Sequence, residues 1–257
     1  MIDIQKQHDT REIPLEKVGI KDLEYPVTVL DKKNGTQKTT AKIDLFVNLP
    51  HDYKGTHMSR FVEIFHKNHE NLGMSNFLEM LSEIRKNLDA QESFGAMAFP
   101  FFVEKNAPVT ASPGIMKYEC VYEGRVSEDF SEFFVSVSIP VTTVCPCSKA
   151  ISERGAHNQR GIVTVKLKNS QMFWIEDVIL AVENSASSGL YSALKRPDEK
   201  FVTERAYDNP RFVEDVVREV YIALKNFPRP FEYFSVECTN FESIHNHNAY
   251  AFTEYRA

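Results

Sequence analysis

The stretch from Ala41 to Leu49 constrains the fold of this chain more than any other. Ala41, Ile43, Leu45, Val47 and Leu49 alternate with Lys42, Asp44, Phe46 and Asn48, and a period of two puts successive side chains on opposite faces of a strand. One face of that strand is apolar and needs cover. Residues 25–30 read as the preceding strand, joined to it through Lys33-Asn34-Gly35, because Asn-Gly accepts positive φ in a tight turn. Two helical stretches supply the cover. The first runs over about residues 58–69, and the second follows a Ser75 cap with Phe77, Leu81, Ile84 and Leu88 on one stripe. Strands at residues 94–103 and 115–122 complete the first half.

The order then recurs. Residues 133–141 form a strand with Val135, Val137 and Ile139 on one face, and residues 161–167 are its partner. Residues 174–187 read as a helix, and Asn209-Pro210 reads as a cap with proline at the first helical position. The helix so opened carries Val213, Val216, Val217, Val220 and Leu224 toward a core, and strands at 233–239 and 249–255 close the chain. The reading is α+β, ββααββ twice in tandem, with residues 1–24 as an extension, 25–128 as one unit and 129–257 as the other. An antiparallel sheet with helices on one face leaves the second face wetted or covered by another subunit, and open edges invite pairing with another chain. A homo-oligomer is expected.

Composition narrows the function. A hydrophobic content of 42%, with 26% charged residues and a net charge of −6, describes a soluble protein and argues against sequence-independent nucleic-acid binding, which needs a cationic surface. Four cysteines, at 120, 145, 147 and 238, are too few for a disulfide scaffold and read as reduced thiols in a cytoplasmic protein. The start of the chain lacks the apolar core of a signal peptide, and no apolar run reaches the length of a membrane span.

The chemistry concentrates between the strands ending at Val141 and starting at Gly161. CPCSKAISERGAHNQR places Cys145, Cys147, Ser148, Lys149, Glu153, His157, Asn158, Gln159 and Arg160 in a connection too long for a simple hairpin. Thiolate and imidazole are the usual ligands of zinc. FESIHNHNAY adds Glu242, His245 and His247, the two histidines facing one way if that segment is extended. A catalytic metal keeps an open position for water and lowers its pKa toward about 7. Surplus side chains then serve as general acids and bases. In KRPDEKFVTERAYDNPRFVED, Lys195, Arg196 and Lys200 surround Asp198 and Glu199, with Glu214 further on. That run is either a solvated charge cluster or a pocket wall offering cations to an anion and a carboxylate to a heterocycle. KGTHMSRF puts Lys54, His57, Ser59 and Arg60 at a helix start, a weaker anion signal.

PVTTVCPCSKAISERGAHNQRG, KRPDEKFVTERAYDNPRFVEDVVRE, GTHMSRF and FESIHNHNAY closely resemble the signature segments of the prokaryotic type IB GTP cyclohydrolase I, and the similarity runs from VGIKDLEYPV to the C-terminus. The resemblance implies a tunnelling fold of two ββααββ units, assembling into barrels in a homotetramer with sites between subunits. It implies metal-dependent hydrolysis of GTP to 7,8-dihydroneopterin triphosphate and formate, the entry to folate-type pterins, with zinc, manganese or iron as the metal. Carried over by motif, Cys145, His157 and Glu199 match the metal site, while Cys147, Glu242, His245 and His247 match further active-site positions. Glu214 matches the carboxylate that grips the purine edge, and Lys195 and Arg196 stand as cations for the substrate. Two alternatives remain open: a sister enzyme forming a cyclic phosphate, and a non-catalytic pterin- or nucleotide-binding protein with a structural metal.

Overall fold

The computed structural model describes residue 5 and residues 7–257. These form two compact units, one from the described residues up to Pro100 with Val121–Val135, the other from Phe101–Cys120 with Ser136–Ala257. The division falls within strands rather than in a linker. Of the expected N-terminal extension, residues 1–4 and 6 lie outside the described residues.

In the first unit β1 (Leu15–Asp31) pairs antiparallel with β2 (Gly35–Leu49), and β2 with β3 (Ser93–Glu104). The alternation in β2 holds, with Ala41, Ile43, Leu45 and Val47 at most 1% exposed. Strand β1 begins at Leu15, well before the expected residue 25. Its register shifts between Leu15 and Val18 and again between Ile20 and Leu23, and Asp22 takes φ 60° with its N–H donating to Asp44 Oδ1 at 2.8 Å. Bulges put the apolar positions out of phase, which hides the strand from a period-two reading. At the turn into β2 the positive φ, 79°, falls on Gly35. The Asp31 carboxylate organises that turn, accepting from Lys33 N at 2.9 Å, Asn34 N at 2.6 Å and Gln37 Nε2 at 2.9 Å.

Helices α1 (Met58–Asn68) and α2 (Met74–Asn87) bury Phe61, Ile64, Phe65, Phe77, Met80, Leu81 and Ile84. Ser75 does not cap α2. The cap position is Gly73, whose carbonyl accepts from Phe77 N at 2.9 Å, and buried Leu72, bridged to Val29, fixes the entry one residue earlier. Helix α2 sits close on the sheet because two strand residues lack side chains. A Cβ at Gly95 would lie 2.8 Å from Leu81 Cδ2, and one at Gly124 of β4 (Ile115–Val126) 2.7 Å from Leu81 Cδ1.

The second unit carries β5 (Ser131–Val144, from Ser136), α3 (Pro146–Ile151), β6 (Asn158–Lys168), α4 (Ile175–Ser185), β7 (Ser188–Gly189), α5 (Arg196–Asp208), α6 (Val213–Lys225), β8 (Tyr233–Asn240) and β9 (Ala249–Arg256). The strand order is β5-β6-β8-β9, with β7 paired to β5. The α4 residues Val178, Ile179 and Val182 and the α6 residues Val216, Val217, Val220 and Leu224 are buried, as are Val163, Val165, Leu167, Phe234 and Val236 on β6 and β8. Valine costs at most about 0.7 kcal/mol of helix propensity, whereas burying it contributes about 1.5–3 kcal/mol. Packing therefore decides that α6 is a helix.

The charge run forms α5, and its charged side chains other than Asp198 are exposed, as a surface cluster requires. One expectation fails here. Asn209 is not the cap of the following helix: it ends α5, and its Nδ2 donates to Ala186 O at 2.9 Å. Helix α6 starts at Val213, where the Asp215 carboxylate accepts from Phe212 N at 3.0 Å.

Candidate active site

The loaded connection between β5 and β6 folds around Cys145, which caps α3. Pro146 follows at the first helical position, where its missing N–H has no partner to lose. Ser148 N donates to Cys145 Sγ at 3.5 Å, and Ser148 Oγ donates to Cys145 O at 3.2 Å while accepting from His157 N at 3.1 Å. Cys145 N donates to His157 O at 3.1 Å. Main-chain and serine bonds thus lock Cys145 and His157 together across the loop. Cys147 lies on the exposed side of α3.

His157 Nδ1 lies 2.9 Å from Gln159 Oε1 and 3.9 Å from Glu242 Oε2, and the His157 and Glu242 side chains are each 14% exposed. The Gln159 amide in turn donates through Nε2 to Thr143 Oγ1 at 2.8 Å. Glu242 reaches this point because Phe241 N donates to Arg160 O at 2.9 Å, tying the β8–β9 connection to β6. His245 and His247 lie in that connection, where residues 243–247 form turns and bends, so the extended arrangement on which their common direction was argued is absent. Their rings still lie together, stacked with centroids 5.0 Å apart and 18° between planes, and both are exposed.

Glu199, Lys195 and Arg196 stand exposed at the start of α5. That start is anchored by a residue the sequence did not single out for a role. Asp198 is fully buried and accepts from Val109 N at 2.8 Å, Thr110 N at 2.8 Å, Thr110 Oγ1 at 2.7 Å and Lys195 N at 3.0 Å. Burial pushes its carboxyl up, but these donors outweigh it and hold the group well below the usual carboxylate range. The far end of α5 is fixed too, by Lys149 Nζ on Tyr207 O at 2.5 Å and by Arg211 N on Val144 O at 3.0 Å, beside Cys145.

Two cavities open on this unit. One, of about 500 Å³, is lined by Thr142 and Val144, by the loop at 153–156, and by Val202, Thr203 and Tyr207 of α5. The other, of about 480 Å³, is lined by Glu214, Val217, Arg218, Tyr221 and Phe252 among others, which puts Glu214 and two aromatic rings on one cavity. Arg60, at the weaker anion motif, donates to Asn87 O at 2.8 Å and serves helix packing.

The structure thus gathers Cys145, His157 and Glu242, pairs His245 with His247, and places Glu199 and Glu214 on separate helices. Among the described residues, no three His, Cys, Asp or Glu side chains converge closely enough to enclose an ion. The donor chemistry of thiol, imidazole and carboxylate still suits zinc or a similar divalent metal. Gln159 and Asp198 are named in the sequence reading but given no role there. A capping signal exists for Asp198, which follows Lys195-Arg196-Pro197 at the start of α5, whereas Gln159 gave none beyond its place beside His157.

Residues 1–251 match the family model described as type I GTP cyclohydrolase folE2. The chain is 51% identical over 254 residues to GTP cyclohydrolase FolE2 of Syntrophus aciditrophicus (strain SB), covering 99% of each chain. To the FolE2 protein of Fervidobacterium nodosum it is 49% identical over 249 residues, covering 97% of this chain and 95% of the relative. Among solved structures it is similar to uricase from Arthrobacter globiformis, with a TM-score of 0.52 at 8% identity over 94% of this chain and 93% of that one. A hyper-thermostable variant of that uricase gives a TM-score of 0.54 at 7% identity, over 94% and 91% of the two chains. That likeness concerns the fold alone, the tunnelling fold of antiparallel sheet with helices on one face.

Proposed function

The chain belongs to the type I GTP cyclohydrolase folE2 family, and we propose on that premise that it hydrolyses GTP at guanine C8. Formate is released and 7,8-dihydroneopterin triphosphate is formed, the first step of folate and pterin biosynthesis. The observation that carries this reading is the identity of about half the residues, over nearly the whole chain, with proteins named GTP cyclohydrolase FolE2. The finer type IB designation rests on the four motifs.

Cys145, His157 and Glu199 would hold one divalent metal, zinc, manganese or iron. When bound, that ion supplies Lewis acidity and a water activated near neutral pH. Glu214 accepts from the N–H groups of the guanine edge against the aromatic wall of Tyr221 and Phe252. Lys195 and Arg196 attract the triphosphate at the start of α5. Cys147, Glu242, His245 and His247 move protons at C8 and N7 as the imidazole ring opens and formate leaves. The protein works as a homotetramer in the cytoplasm, with sites completed between subunits. No helix among the described residues is long and apolar enough to cross a membrane.

The test is to incubate metal-reconstituted protein with GTP, oxidise the mixture and look for formate and fluorescent neopterin. Absence of both with each of several divalent metals refutes the reading. Phosphate analysis of the product separates the triphosphate from a cyclic phosphate. Cys147→Ala is expected to abolish turnover while GTP still binds; equal loss of both would move Cys147 into the binding set.

A further inference from the structure

A neutral imidazole carries one donor and one acceptor nitrogen, and only the acceptor nitrogen can bind a metal. His157 Nδ1 meets the acceptor Gln159 Oε1 at 2.9 Å, and Glu242 Oε2 lies 3.9 Å from the same nitrogen. The Gln159 amide does not turn freely. It is buried, 7% exposed, and its Nε2 donates to Thr143 Oγ1 at 2.8 Å, on a threonine with no exposure at all. In this arrangement Oε1 is the atom that faces the ring, and the nearby Glu242 carboxylate disfavours an imidazole lone pair on that side, which favours a proton on Nδ1. His157 N and O are themselves held by Ser148 Oγ and Cys145 N, so backbone and ring are fixed by separate contacts.

We propose that Gln159, braced by Thr143 and assisted by Glu242, is a positioning residue that holds His157 in its Nδ1–H tautomer and keeps the Nε2 lone pair for the site. Its value to metal binding rests on the reading of His157 as a ligand. Partners of this kind fix the ring orientation and raise the basicity of the ligating nitrogen, and their loss typically costs roughly 10–100-fold in metal affinity.

The tautomer is read in metal-free, full-length protein labelled with nitrogen-15 in its histidines, by long-range proton–nitrogen correlation at pH 8. His157→Gln identifies the resonances. The expected result is an unprotonated Nε2 and a protonated Nδ1 at His157. Gln159→Leu should let the two tautomers mix and weaken zinc binding roughly 10–100-fold in a chelator competition. Gln159→Glu, which retains an acceptor, should keep the native tautomer and stay within a few-fold of native affinity. Thr143→Val, which removes the brace alone, should loosen the preference even if the leucine variant does not fold. An unprotonated Nδ1 in the native protein, or a tautomer unchanged in both Gln159→Leu and Thr143→Val, overturns the proposal. Native zinc affinity in His157→Gln instead overturns the ligand reading, and with it the link to metal binding, while the tautomer result stands by itself.

Discussion

Replacing Lys105 by Met tests the packing that holds the strand end leading to Cys145. Lys105 Nζ donates to Glu183 Oε2 at 2.6 Å and to Leu190 O at 2.7 Å, and lies 4.2 Å from the Tyr191 ring centroid. The Lys105 and Glu183 side chains are 18% and 9% exposed, and Glu183 Oε1 also accepts from Tyr118 OH at 3.0 Å. Leu190 follows the two-residue strand β7, which pairs with Val141 and Thr142 of β5. Methionine keeps the length of lysine and removes its charge, leaving a buried carboxylate with one hydroxyl. Breaking a buried pair in this way costs about 3–5 kcal/mol. Replacing both members is milder, because Lys105→Met with Glu183→Leu exchanges the pair for apolar packing. What remains is the Tyr118 hydroxyl and the Leu190 carbonyl without these partners, each at about 1–3 kcal/mol where water does not reach it. Urea unfolding followed by the fluorescence of Trp174, the one tryptophan, reports on this unit. The single variant should lose about 3–5 kcal/mol and the double variant less than the single. A Lys105→Met protein within about 1 kcal/mol of native, or a double variant weaker than the single, refutes the argument that the pair is buried and coupled.

Three further outcomes follow from the same geometry. Burial pushes the Asp31 carboxyl up, but donors on Asn34, Gln37 and Lys33 outweigh it and hold the group below its ordinary value. Its contribution is therefore complete above the unfolded pKa of about 3.9 and lost as pH falls through the lower folded value. Asp31→Asn should cost about 1–3 kcal/mol at pH 7 and flatten the acid limb of the stability curve; an unchanged limb contradicts this. Burial pushes the Cys238 thiol up to about 12 and Cys120 likewise far above its usual range. Iodoacetamide at pH 8 should mark exposed Cys147 first and leave Cys120 and Cys238 unmodified until denaturant is added, as read by peptide mass spectrometry. Glu214→Gln removes the charged acceptor of the aromatic-walled cavity, a loss of about 1.5–3 kcal/mol for hydrogen bonds to a charged group. GTP affinity, measured by calorimetry without turnover, should fall roughly 10–100-fold; native affinity would place the guanine elsewhere.

The strands were legible wherever alternation ran unbroken. Residues 41–49, 133–141 and 161–167 appear in the structure within β2, β5 and β6, because burial of one sheet face imposes a period of two that composition cannot imitate. Legibility failed where local chemistry and tertiary packing disagree. The bulges of β1 shift phase, so residues 15–24 read as an extension. The mean polarity of α5 disguised a helix held mainly at its ends. Asn209-Pro210 imitates a cap, yet Asn209 serves Ala186 of the segment before α5. The candidate site segments stood out because rare residue types cluster there. The parts played by Gln159 and Asp198 within them did not, since a polar side chain that acts by being buried looks on paper like any exposed one. The partner of Gln159, Thr143, lies across the connection on β5, and that of Asp198, Thr110, comes from a loop far away in sequence.

The two thiols of CPC are held differently, which bears on the roles proposed for them. A ligand gains from being held before the ion arrives, since ordering it afterwards is subtracted from affinity. Cys145 meets that condition: its N–H is bound to His157 O, its carbonyl to Ser148 Oγ, and its sulfur accepts from Ser148 N. A proton carrier has the opposite requirement, because it must exchange with solvent or with a neighbour between turnovers. Cys147 sits one turn-start further on, exposed, and the stacked pair of His245 and His247 is exposed as well. This contrast supports the proposal that Cys145 and His157 are the held ligands and that exposed Cys147 carries protons. It leaves Glu199 as the member whose placement depends most on α5, and α5 depends on the four bonds to Asp198.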